Sequence, residues 1–369
     1  MDKKERKIHI TWAVVGGLAL ILGTVLFIYR DAAHMVFKNL TAMRLEMVES
    51  KDWNNGRSYE HISYAADSDS QYLDLYVPDT ATNEELPKLL VLVHGGGFIY
   101  NDSQSRQAQL MYRYFRDNGY ACATVNYRLA QEEPFPGALC DVKAAVRFLK
   151  AHADLYGFNA DRVAIWGESA GGYLAVAATV TNDEEFMDVD YLGQEEYEKR
   201  TGGKASAHVD VCVDYYGAVE LSLKDEDWKK LGIPKVVTDV ANSWLHTDIM
   251  EGYPDVESFW LRTDVSKAPE EVIAYSNLYN YIDENIGREP SSGSGYAWDG
   301  SSIKFWISHG DCDITVPILQ SERLYYTLKT LLPEESVVYR VVEGSGHAGD
   351  IMYTDEELSR VKNYLDENL

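Results

Sequence analysis

One serine in this chain has the setting of a nucleophile. Ser169 lies in Gly167-Glu168-Ser169-Ala170-Gly171, directly after the apolar run Arg162-Val163-Ala164-Ile165-Trp166 and before Gly172-Tyr173-Leu174-Ala175-Val176-Ala177-Ala178. The first run predicts a strand and the second a helix, so the serine sits on a sharp strand-to-helix turn with its hydroxyl above the sheet. Glycines two residues to either side let neighbouring backbone approach where a Cβ would collide. The helix N-terminus behind the serine offers free N–H groups and a positive dipole end to developing negative charge. An ordinary turn is the competing reading. A base, an acid to orient it and donors for an oxyanion would decide between them.

A serine hydroxyl is a weak nucleophile until an adjacent base, itself held by a carboxylate, takes its proton. Downstream of Ser169 the histidines are His208, His246, His309 and His347. His208 starts a predicted strand, His246 lies in a helical stretch and His309 precedes Gly-Asp at a strand end. His347 occupies the glycine-rich Glu343-Gly344-Ser345-Gly346-His347-Ala348-Gly349 after the last predicted strand, where a loop can carry a base back to the serine. It is the expected base; a structural loop histidine is the alternative. The acid should follow the preceding strand, where His309-Gly310-Asp311-Cys312-Asp313-Ile314-Thr315-Val316-Pro317 offers Asp311 and Asp313. Periodicity does not separate them, and one is a turn former. The oxyanion donors are expected at Ala170 and within His94-Gly95-Gly96-Gly97, whose glycines can aim backbone N–H groups at a substrate oxygen.

These residues need a sheet to bring them together. Ser58–Tyr64 and Tyr72–Val77 alternate apolar and polar around a turn, an antiparallel entry. Lys88–Val93, Ala121–Tyr127, Arg162–Trp166, His208–Tyr216, Ile303–Ser308 and Val337–Val342 read as further strands. Between them, Gln107–Asn118, Pro134–Tyr156, Ser321–Leu332 and the segment from Asp355 read as helices. Thr181–Ala207 is polar and reads as a solvated excursion, Leu221–Ile282 as a helical, aromatic-rich insertion, and Ser291–Gly295 as a flexible loop. Strands alternating with helices predict a mostly parallel, doubly wound sheet covered on both faces.

The 369 residues suit one large α/β domain, and the formal net charge of −25 argues against nucleic acid or an anionic membrane as partner of the folded part. Cys122, Cys140, Cys212 and Cys312 are scattered without metal-ligand spacing, and neither metal nor organic cofactor is implied. Residues 1–7 form a basic head with Lys3, Lys4, Arg6 and Lys7. Residues 8–29 carry no Asp, Glu, Lys or Arg, long enough for a bilayer core that takes roughly 20 residues. We read a signal-anchor with the N-terminus inside and the remainder extracytoplasmic, in preference to a cleaved signal. Residues 30–57 read as a juxtamembrane linker in which Val36, Leu40, Met43 and Met47 recur at helical spacing.

From residue 58 to 369 the chain resembles the α/β-hydrolase superfamily, and within it the His-Gly-Gly-Gly carboxylesterases near the hormone-sensitive-lipase-like and acetyl-xylan-esterase-like groups. The matching segments are Val93-His94-Gly95-Gly96-Gly97-Phe98, Asn126-Tyr127-Arg128-Leu129, Asp161 through Gly172, His309 through Pro317, and Gly344-Ser345-Gly346-His347. The resemblance implies Ser169, Asp313 and His347 as catalytic residues, with the aspartate four after the histidine preferred to Asp311. It implies Gly96, Gly97 and Ala170 as the oxyanion hole, a structural Arg128, and a cap formed by residues 221–282, which hold Trp228, Trp244 and Trp260. The activity it implies is hydrolysis of short-chain acyl esters, acetylated carbohydrates among them. An amidase, peptidase or formamidase on the same residues and a catalytically dead binding domain are the alternatives. Oligomeric state is left open.

Overall fold

A computed structural model describes residues 56–79, 86–241, 250, 252–287 and 300–369. The basic head, the signal-anchor and the linker up to residue 55 lie outside the described residues, as do Trp244, His246 and the loop at Ser291–Gly295. No described helix is long and apolar enough to cross a membrane.

The strands are β1 (Gly56–Ser63), β2 (Tyr72–Pro78), β3 (Lys88–Val93), β4 (Ala121–Val125), β5 (Asn159–Glu168), β6 (Val211–Tyr215), β7 (Lys304–Gly310) and β8 (Val337–Val342). They form an eight-stranded sheet in the order β1-β2-β4-β3-β5-β6-β7-β8. β2 pairs antiparallel with both β1 and β4, and the pairings from β4 through β8 are parallel. The helices are α1 (Arg106–Asp117), α2 (Gly137–Ala151), α3 (Ala153–Tyr156), α4 (Ala170–Val180), α5 (Gln194–Thr201), α6 (Lys224–Lys230), α7 (Lys235–Ala241), α8 (Val256–Trp260), α9 (Glu270–Ser276), α10 (Leu278–Asn285), α11 (Leu319–Leu331) and α12 (Asp355–Asn368).

Strand alternation sorts the core into two layers. On β3, Leu89, Val91 and Val93 join a layer with α2, α4 and α11. Leu90 and Leu92 join the opposite layer, with Met111 and Phe115 of α1 and Val361 and Leu365 of α12. The order reverses between β3 and β5, which pair directly although β4 intervenes in sequence. Such a switch point opens a crevice at the carboxyl ends of the strands. The loop after β3 and the turn after β5 therefore meet there.

Several expectations are corrected. β1 starts at Gly56, so the last residues of the expected linker are already strand. The helix expected over Pro134–Tyr156 is two, broken at His152. The helix after the serine starts at Ala170, two residues earlier than its apolar run. Residues 181–207 are not merely solvated: they include α5, and Phe186, Val189 and Tyr191 are buried. Two cations of α2 hold that segment. Lys143 Nζ donates to Thr181 Oγ1 at 3.1 Å and to the carbonyls of Asn182 and Glu185 at 2.6 Å each. Arg147 donates to Val189 O at 2.7 Å. Burial pulls the Lys143 pKa down to about 8.

Arg128 is structural. Its guanidinium grips Asp141 of α2, with Nε to Oδ2 at 2.9 Å and Nη2 to Oδ1 at 2.8 Å, and Gln71 donates to the same carboxylate at 2.7 Å. The Asp141 carboxylate is fully buried. Asp141→Ala leaves Arg128 with only the half-exposed Glu133 carboxylate at 3.7 Å and should lower unfolding free energy by about 3 kcal/mol, read from urea denaturation.

Candidate active site

The site begins with crowded backbone at the end of β5. Ser169 has φ 53° and ψ −118°, a region costly for any residue with a Cβ and held only when its surroundings over-determine it. They do so here. Ser169 N–H donates to Tyr215 O of β6 at 2.9 Å, and its carbonyl accepts from Tyr173 N–H of α4 at 3.1 Å. A Cβ on Gly167 would lie 1.8 Å from Gly171 O, and one on Gly171 would lie 2.2 Å from Val93 O. Both glycines of the motif are therefore required by contact.

His347 stands between Ser169 and Asp313. Its Nε2 is 3.0 Å from Ser169 Oγ and its Nδ1 is 2.7 Å from Asp313 Oδ2. The donor order this implies is Nδ1–H to the carboxylate, leaving Nε2 to accept the serine proton. Asp313 is buried, and its Oδ1 accepts the N–H groups of Thr315 and Val316 at 2.7 and 2.9 Å. Burial alone would raise its pKa. His347 and His309 more than offset that and hold it below the usual carboxylate range.

The two aspartates have different jobs. Asp311 is exposed, and its Oδ1 accepts Gly344 N–H at 2.6 Å, so it anchors the loop that carries His347. Cys312 N–H donates to Ser345 O at 2.9 Å and stitches the same loops together. His309 backs the acid: its Nε2 is 3.2 Å from Asp313 Oδ2 and 3.1 Å from Val316 O, while Ser321 Oγ meets Nδ1 at 2.7 Å.

The oxyanion donors expected from the loop after β3 are backbone N–H groups. Gly96 and Gly97 have φ 118° and 60°, conformations glycine adopts freely. Among the described residues no hydrogen bond uses their N–H groups, whereas Gly95 N–H donates to Glu168 Oε1 at 3.3 Å. Ala170 opens α4, so its N–H is one of the four left without an intrahelical acceptor. His94 locks the base of the loop. It stacks on Tyr127 with ring centroids 4.3 Å apart, its carbonyl accepts Tyr127 Oη–H at 2.9 Å, and its Nδ1 lies 2.8 Å from Gly95 O.

Ser169, Asp313, His347, Gly96, Gly97 and Ala170 thus meet at the carboxyl edge of the sheet. His208 does not join them; it precedes β6 at the opposite edge and pairs with Asp210 at 3.9 Å. Trp228 and Trp260 are buried packing residues, and Trp260 stacks on Phe98 with centroids 3.7 Å apart. The four cysteines are buried free thiols. Among the described residues no His, Cys, Asp and Glu cluster could hold a metal ion. Sequence reasoning missed Glu168, Tyr216 and Tyr353, which form a buried hydrogen-bonded group behind His347. Glu168 fell on the variable position of the serine motif, and only the fold brings the two tyrosines to it.

The BD-FAE family profile matches residues 73–285, more than half of the chain. A probable carboxylic ester hydrolase of Mycobacterium tuberculosis, LipM, is 25% identical over 301 residues, covering 80% of this chain and 58% of LipM. Human arylacetamide deacetylase-like 2 is 34% identical over 164 residues, 41% of this chain and 40% of that protein. The chain therefore spans under two thirds of the length of these relatives. A carbohydrate esterase from gut microbiota, solved in truncated form, superposes with a TM-score of 0.64 over 87% of this chain and 99% of its own, at 20% identity.

Two measurements test the geometry. Asp313→Asn should slow fluorophosphonate labelling of Ser169 by about 10³-fold or more, while Asp311→Asn changes it only a few-fold; equal effects would reverse the assignment. Burial lowers the His94 pKa from 6.5 to about 4. Between those values the unfolded chain binds a proton that the folded chain refuses, so stability falls as pH drops from 6.5 to 4, by on the order of 3 kcal/mol. His94→Gln should flatten urea stability against pH in that window. Family match, sheet order and site geometry agree, and the chain belongs to the BD-FAE family, with an α/β-hydrolase-like fold.

Proposed function

We propose that this chain is a serine carboxylesterase that cleaves short acyl esters through an acyl-enzyme. The observation that carries the reading is the line Asp313–His347–Ser169, at 2.7 and 3.0 Å. His347 Nε2 takes the hydroxyl proton as Ser169 Oγ attacks the ester carbonyl carbon. Asp313 stabilises the imidazolium. The carbonyl oxygen becomes an oxyanion and accepts from the N–H groups of Gly96, Gly97 and Ala170. His347 then gives its proton to the departing alkoxide, and the ester C–O bond breaks. Water repeats the sequence: His347 takes its proton, the hydroxide attacks the acyl carbon, and Ser169 leaves reprotonated with release of the acid. Relatives named as esterases and as a carboxylic ester hydrolase support this chemistry.

A small acyl pocket is supported by the packing beside the oxyanion loop. Phe98, next in the chain to Gly97, is buried against Trp260 and Tyr173, a filled wall rather than open volume. Residues 221–282, the expected cap, supply Trp260 to that wall. Acetylated carbohydrate is a substrate class that the carbohydrate esterase among the structural neighbours supports. The uncharged run at residues 8–29, behind a basic head, supports a single-pass anchor with the catalytic domain outside the cytoplasm.

An acyl series of p-nitrophenyl esters from acetyl to decanoyl, run beside acetylated xylan and a matched anilide, tests the reading. Activity should fall steeply beyond butyryl, exceed that on the anilide, and drop at least about 10⁴-fold in Ser169→Ala. A preference for decanoyl would sink the small pocket, and a faster anilide would make the protein an amidase.

A further inference from the structure

Glu168 is buried directly beside the nucleophile, yet the mechanism above does not use it. Its carboxyl gathers three donors, each from a different segment of the site. Gly95 N–H of the oxyanion loop meets Oε1 at 3.3 Å. Tyr216 Oη–H, just past β6, meets Oε2 at 2.8 Å. Tyr353 Oη–H, from the turn that follows the His347 loop, meets Oε2 at 2.9 Å. The two tyrosine hydroxyls also touch each other. The Gly95 amide proton and at least one tyrosine proton are directed at the carboxyl, the other tyrosine proton being shared between Oε2 and the neighbouring hydroxyl, so the group accepts as a carboxylate does. Tyr216 then reaches the base: its ring lies 4.7 Å from the His347 ring at 62°, an edge contact.

Resting on the assignment of Ser169 and His347 above, we infer that Glu168 is a positioning residue with two linked tasks. Through Gly95 it sets the oxyanion loop so that the next two N–H groups face the substrate. Through Tyr216 and Tyr353 it braces the wall against His347, and its negative charge supports the imidazolium that forms there during attack. Burial raises the Glu168 pKa, and the hydrogen bonds from Tyr216, Tyr353 and Gly95 and the charge of His347 work against that rise.

Several charged and titratable groups are placed around His347 among the described residues. Asp313 meets Nδ1, with His309 behind it, and Ser169 meets Nε2. Tyr216 covers the ring, with Glu168 and Tyr353 behind it. On the His347 loop itself, Asp350 is spoken for by Arg106 of α1 at 2.7 Å. Asp313 touches the base and Glu168 does not, so removing the Glu168 charge should shift the imidazole without breaking the line to Ser169.

The test compares wild type, Glu168→Gln, Glu168→Asp and Tyr353→Phe. Kinetics use p-nitrophenyl butyrate, and the His347 imidazole is followed by NMR titration. Glu168→Gln should lower kcat about tenfold or more, short of the 10²–10³ lost with an oxyanion donor, with KM within a few-fold. The acid limb of kcat/KM and the NMR titration of His347 should both move to lower pH by roughly half a unit or more. Glu168→Asp should restore the titration but not all of kcat, and Tyr353→Phe should cost kcat a few-fold with the titration in place. An unmoved titration in Glu168→Gln overturns the proposal, as does a loss that falls wholly on KM. Should Glu168→Gln not fold, an unchanged kcat in Tyr353→Phe overturns it instead. The NMR arm needs no turnover, so a wild type that hydrolyses no ester would refute the esterase reading while still reporting on Glu168.

Discussion

Backbone crowding where β5 turns into α4 is the constraint on which the rest depends. Val93 O, Gly167, Ser169 and Gly171 share a space that admits no further carbon, as the 1.8 and 2.2 Å approaches of a hypothetical Cβ at the two glycines make plain. The serine is forced to positive φ, and hydrogen bonds to β6 and α4 hold it there. The strain is local, but it has a consequence for chemistry: the hydroxyl and the free N–H groups of α4 open on the same side, towards the loop after β3.

The sheet order supplies the remaining partners. Because β3 and β5 are direct neighbours, Val93 sits across from Gly167 and the loop of Gly95–Gly97 cannot avoid the serine. β6 contributes Tyr215 O, which accepts from Ser169 N–H, and Tyr216, just past the strand, packs against the imidazole. β7 leads into Asp311 and Asp313, and its neighbour β8 leads into the loop of His347. Asp313 is buried with two backbone donors and two imidazoles around it, so its negative charge is stabilised and aimed at one nitrogen of His347. A neutral and an anionic set of buried groups then coexist: His94 is kept neutral by burial, and Asp313 is kept charged by its neighbours.

Much of this was legible in the chain. The serine, the glycine-rich donor loop and the loop histidine announce themselves because each depends on local backbone chemistry, which sequence encodes in neighbouring residues. The strands were legible for the same reason, Lys88–Val93 as a strand covered on both faces, although which layer Leu89 and Leu90 join is seen only in the structure. What was not legible depends on distance in the sequence. Asp311 and Asp313 look alike until one is seen to hold Gly344 and the other His347. Glu168 looks like filler until Tyr216 and Tyr353 arrive from 48 and 185 positions away. The segment after α4 reads as solvated because its charges are numerous, yet its carbonyls accept from buried Lys143 and Arg147.

Ser169, His347 and the three N–H groups are proposed to act on one acyl carbon. A crystal structure of the protein trapped with a butyl phosphonate ester tests it most directly. The expected result is phosphorus bonded to Ser169 Oγ, with the phosphoryl oxygen about 2.7–3.1 Å from the N–H groups of Gly96, Gly97 and Ala170. An adduct on any other residue, or a phosphoryl oxygen turned away from those donors, would contradict it.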